Sequence, residues 1–137
     1  MAAAIFEHCN AVEECYEFML AYAAQGRTSD QGGKPGAQIR EFLQRAAAAI
    51  AALPEECSKV VKEKTLEPAG KYLAFFAVFD RDAHDSLAAI DLVLAQPSIS
   101  SQLIDNLNAS THIRALLTDL YLLTDILRSQ LTSLPTP

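Results

Sequence analysis

Between Tyr72 and Leu94 a stripe of apolar residues at helical spacing runs through a densely charged stretch, DRDAHD at 80–85. At about 100° per residue, Tyr72, Phe75, Phe76, Phe79, Ala83, Ser86, Leu87, Ile90, Val93 and Leu94 fall within one arc. The charges lie outside that arc, so the helix continues across them over about 69–95 and ends before Pro97. Strand-like alternation is convincing nowhere in the sequence, which confines the chain to packing helix on helix.

The same period recurs on both sides. Residues 4–25 place Ile5, Cys9, Val12, Tyr16, Met19, Leu20 and Ala23 on one face, and Gly26 ends this helix. RTSDQGGKPG then reads as a flexible loop over 26–36, because glycine and proline punctuate it and nothing in it is suited to packing. A second helix over 37–53 turns Ile39, Phe42, Leu43, Ala46, Ile50 and Leu53 inward, until Pro54 splits or kinks it. Residues 54–66 form a short charged helix with Cys57, Val60 and Val61 inside, closed near Pro68, and 98–108 form another short one with serines available as N-caps. The last helix, capped by Ser110 or Thr111, carries Ile113, Leu116, Leu117, Leu120, Leu123, Leu127 and Leu131 to a tail at 133–137. The expected fold is an all-α, up-and-down four-helix bundle with one or two additional short helices, in one domain over 1–137.

Composition narrows the partners. At 137 residues one core is sufficient, and a domain of this length buries roughly two thirds of its unfolded surface. Acidic side chains number 17 against 11 basic ones, a net charge of −6 that repels a phosphate backbone, so no nucleic acid is expected as a partner. The longest apolar run is YLAFFAVF, well short of the roughly 18 residues of a membrane span. Three cysteines, an odd count with no secretory leader pattern, point to a cytoplasmic protein without a disulfide framework. Cys9 and Cys15 point apart on one helix and cannot pair, and all three thiols read as buried structural groups. His8 flanks the same stripe two turns from Cys15, too far for a direct hydrogen bond.

Several residues invite a chemical reading. Asp80 and His84 stand four apart with Asp91 further along the same face, the spacing by which a helix offers ligands to a metal ion. Two ligands and a distant third do not make a site, and the bundle-type dimetal centre requires Glu-x-x-His on facing helices, which is absent. A calcium-loop reading of Asp80, Asp82, His84, Leu87 and Asp91 fails because Asp85 occupies the position that needs glycine. GRTSDQGGKPG resembles a phosphate-binding loop only loosely: the gap between its glycines is one too long, Pro35 replaces the hydroxyl residue, and a helix precedes it. Glu7, Glu13, Glu14 and Glu17 form an acidic face that reads as a solvated surface, with docking of a basic partner as the alternative. No catalytic triad is suggested, and no carboxylate stands in an apolar setting that would raise its pKa.

In size and helical make-up the chain is similar to histidine-phosphotransfer modules, with His84 in the place of their exposed histidine. The lysine and glycine that follow the histidine in such modules are missing, and Asp85 would repel a phosphoryl group.

The outward faces supply a different expectation. Ala115, Leu122 and Ile126 lie on the far side of the last helix from its core stripe, and Val78 and Leu92 lie outward on the third. A second apolar patch requires a second neighbour: one of the short helices, another subunit or a partner protein. The sequence therefore reads as a non-enzymatic helical bundle that needs no cofactor and no metal. Its expected role is protein-protein interaction as an adaptor, chaperone or regulator, in a homodimer or with another protein, away from membranes. The alternative is a phosphotransfer or metal-responsive module using His84 and Asp80.

Overall fold

The chain, seen in a computed structural model that describes residues 2–133, forms five helices: α1 (Ala2–Ala23), α2 (Lys34–Glu63), α3 (Ala69–Leu94), α4 (Ser101–Ala109) and α5 (Thr111–Ser133). Among the described residues there is no strand, and the fold is all-α. The tail expected at 133–137 lies, past Ser133, outside the described residues, as does the side chain of Leu131.

Contacts follow chain order. α1 packs on α2, α2 on α3 and α3 on α5, α5 meets α1, and α4 lies mainly against α1. Each of the first three pairs is antiparallel. Phe18 stacks on Phe42 at 4.4 Å while Glu14 reaches Arg45. Arg40 bonds the carbonyls of Leu94 and Gln96, whereas Pro54, further along α2, shares a small cavity with Ala83 and Leu87. Ser86 donates to the His112 carbonyl, and Tyr72 and Phe75 share a groove with Leu123 and Ile126. The core between these pairs is apolar, with Ile5, Ile39, Leu43, Ile50, Leu53, Phe79, Leu116, Leu120 and Leu123 all at or near zero exposure.

α2 decides the choice left open at Pro54: it runs unbroken from Lys34 to Glu63, so the short helix expected over 54–66 is its continuation. Ile39, Leu43, Ala46, Ile50, Leu53, Cys57 and Val60 are buried at alternating spacings of four and three, so the stripe crosses the proline in phase. A helix-interior proline costs about 3 kcal/mol. Burial of Leu53, Val60 and Val61 contributes about 1.5 to 3 kcal/mol for each side chain, which outweighs it. α2 ends where Thr65 turns into the left-handed region at φ 49° and the Leu66 amide bonds the Val61 carbonyl, which seats Leu66 in the core.

On α1 two assignments change. Tyr22 is fully buried, and Leu20, expected inside, is about half exposed. Tyr22 tolerates burial because its hydroxyl donates to the Ile99 carbonyl at 2.6 Å, so the ring packs with its polar end satisfied.

The segment expected to be loose is tied down, and its last three residues already belong to α2. Asp30 accepts from the Ile99 amide at 2.8 Å and from Arg40 Nε at 2.7 Å. Ser101 Oγ donates to the Tyr22 carbonyl at 2.6 Å and accepts the Arg27 amide at 2.9 Å, while its own amide donates to the Arg27 carbonyl. These bonds latch the α1–α2 connection onto the segment between α3 and α4. Gly36 permits it: a Cβ there would lie 2.1 Å from the Asp30 carbonyl oxygen, so only glycine lets α2 start this close beneath the loop.

Candidate functional site

The sequence-predicted metal and phosphotransfer residues stay at the surface. His84 Nδ1 lies 2.8 Å from the Asp80 carbonyl and 3.6 Å from its carboxylate, with both side chains at least half exposed. Asp91 is exposed on the same helix. Asp85 faces His112 across the α3–α5 contact at 3.9 Å. Among the described residues no group of three or more His, Cys, Asp or Glu side chains is placed to hold a metal ion.

Burial pushes the Cys9, Cys15 and Cys57 thiols up to about 12, which leaves them protonated and unreactive. The glycine-rich loop presents the wrong groups to a phosphate. The Arg27 guanidinium takes the carbonyls of Ser29, Gln31 and Gly32, so the loop encloses its own cation where a phosphate site would turn N–H groups inward. Of the acidic face on α1, Glu14 pairs with Arg45 at 3.3 Å, both half exposed.

The outward side of α3 and α5 is different. Val78, Leu122 and Ile126 are 39%, 49% and 44% exposed. Lys71, Tyr72, Phe75, Leu123 and Ile126 line an open groove of about 160 Å³ between the two helices. Neither of the neighbours that might have covered this side does so. Residues 54–63 belong to α2, and α4 packs mainly on α1. Ala115 is half-buried, and Leu92, at 66% exposure, lies fourteen residues from Val78, about 21 Å along the helix, so it stands apart from the patch.

Next to Val78 and Leu122 the seam carries a pair of acids. Asp119 is nearly buried, its Oδ2 meets no hydrogen-bond donor, and the group it faces is the half-buried carboxyl of Asp82 on α3. Loss of water first, and then the neighbouring Asp82, push Asp119 up to about 7. Two carboxyls thus stand close together where water is scarce, and no cation among the described residues lowers the value. This corrects the expectation that no carboxylate stands in a pKa-raising setting. The partner is on another helix, which periodicity along α5 does not reveal. The available signal was local: Asp119 falls between Leu116 and Leu123, on the flank of the core stripe.

No family model, curated protein or solved structure matches this chain. No helix among the described residues is long and apolar enough to cross a membrane.

Proposed function

We propose that the protein is a non-enzymatic interaction module, an adaptor, chaperone or regulator, whose working surface is the outward seam of α3 and α5 and whose working form is a homodimer. The observation that carries the reading is the exposure of Val78, Leu122 and Ile126 on the side of α3 and α5 that carries an apolar groove, which no described element covers. A helix needs one apolar stripe to join its own core, and a second stripe gains only by meeting a second surface.

Native mass spectrometry at two protein concentrations tests this. A dimer that grows with concentration and is lost in Leu122→Asp supports it, and a chain that stays monomeric throughout overturns it. The alternative, a phosphotransfer or metal-responsive role, draws support from the high exposure of His84 on a long helix. Asp80 and Asp85 beside it disfavour a bound phosphoryl group. His84→Ala leaves dimerisation unchanged if the interaction reading holds, and abolishes phosphoryl acceptance or metal uptake if the alternative does.

A further inference from the structure

Resting on the homodimer reading, we infer the geometry of the pairing: the α3–α5 seam closes on a second copy across a two-fold axis perpendicular to the helices, with Lys71 of each copy seated against Asp82 and Asp119 of the other.

The stripe itself is self-complementary. Lys71, Phe75, Val78 and Asp82 follow one another along α3 at spacings of four, three and four, a pattern that reads the same from either end. Its ends carry opposite charges and its middle is apolar. Lys71 and Asp82 stand eleven residues apart, about 16 Å along the helix, so they do not pair within one copy. Turned end for end, a second copy places its Lys71 over Asp82 and its Phe75 over Val78.

α5 obeys the same axis. It runs antiparallel to α3, with Asp82 beside Asp119 and Phe75 beside Leu123 and Ile126. An axis passing between Phe75 and Val78 therefore crosses α5 between Leu122 and Ile126, and each of these meets the other in the second copy.

Electrostatics selects this arrangement over its rival. A two-fold parallel to the helices would stack Lys71 on Lys71 and crowd four carboxylates together, and like-charge contacts of this kind cost several kcal/mol. The end-for-end arrangement brings an ammonium to the half-buried Asp82 carboxyl, and so beside the acid pair of the seam, where no cation of the described residues stands. Because the interface is isologous, each such contact occurs twice.

Two single variants and their mixture provide the test. Lys71→Glu sets glutamate against Asp82, and Asp82→Lys sets lysine against Lys71, so each variant alone dimerises at least tenfold more weakly than wild type. Mixed in equal amounts they form a heterodimer in which residue 71 of each copy meets an opposite charge at residue 82 of the other, and the mixed mass is recovered more tightly than either single variant, towards wild-type affinity. Should Asp82→Lys not fold, carbodiimide crosslinking of light and isotopically heavy wild-type chains reads the same contact: Lys71 joined to Asp82 or Asp119 in peptides that mix the two labels.

A mixture no tighter than either single variant, or crosslinks that join other residues, overturns this geometry. If wild type is still a dimer that Leu122→Asp disrupts, the functional reading survives that loss. A wild type that is monomeric at every concentration overturns both.

Discussion

Asp30 and Asp119 are both carboxylates that folding removes from water, and the chain surrounds them in opposite ways. Asp30 receives the Arg40 guanidinium and the Ile99 amide, and these donors hold its carboxyl below the usual carboxylate range. Asp119 receives another carboxyl, and burial together with that neighbour pushes it up. Around Asp30 the bonds to Ile99 and Ser101 join segments far apart in the chain, from α1 and its loop to the start of α4. Around Asp119 the neighbour from the other helix is a second acid, Asp82, and Oδ2 is left without a donor. A satisfied buried acid is part of how the protein holds its shape, whereas an acid left short of a donor beside exposed Val78 and Leu122 is the feature on which the proposed pairing rests.

The largest expected effect comes from breaking the latch sterically. Gly36→Ala pushes a methyl into the Asp30 carbonyl and the Arg27 guanidinium, and urea unfolding should show a loss of about 3 kcal/mol. The seam is untouched by this change, so any dimer formed by the fraction that remains folded should keep its affinity.

Next comes Asp30→Ala, which leaves the Ile99 amide without its acceptor and the Arg40 guanidinium without its counter-charge. A loss of about 2 kcal/mol at neutral pH is expected. Because the pKa of Asp30 is lowered in the folded state, its contribution is present above the usual carboxylate range and fades as pH falls through the folded value. The difference between wild type and variant should therefore shrink in acid.

Asp119→Asn works in the opposite sense. Between 3.8 and about 7 the folded protein holds a proton that the unfolded chain has released, so the stabilisation tied to it is full below that window and lost as pH rises through it. Asparagine carries no proton to lose. The variant should be more stable than wild type by about 1 to 2 kcal/mol near pH 8, with a flatter profile between pH 4 and 7. The measurement is made at the dilution where single copies prevail, since Lys71 of a second copy would oppose the shift. Equal slopes for the two proteins would end the contrast drawn between Asp30 and Asp119.

Much of the fold was legible in the residues. α3, which keeps its phase through DRDAHD, ends one residue from where its periodicity places the end. Ser100 and Ser110 cap α4 and α5 through bonds to the Leu103 and Ile113 amides, as short hydroxyl side chains at helix starts do. The exposure of Val78, Leu122 and Ile126 was legible in the same way, because a helical period assigns faces without knowledge of the neighbours. Whether Pro54 splits or kinks its helix stayed open in the sequence because a local rule about one missing N–H competes with burial on both sides of it, and only packing shows which is larger.

Sequence by itself determined the helical class, most of the inward stripes and the surplus apolar side of α3 and α5, since each follows from spacing within a single segment. Tertiary structure alone decided that Asp30 meets Arg40, that Ser101 bridges Tyr22 and Arg27, that Gly36 lies against the Asp30 carbonyl, and that Asp82 faces Asp119. Those partners stand between 6 and 79 positions apart in the chain. Apolar burial is non-directional and shows as a period within one segment, whereas a hydrogen bond or a shared proton needs two particular groups within about 3 Å, and only the packed fold brings them there.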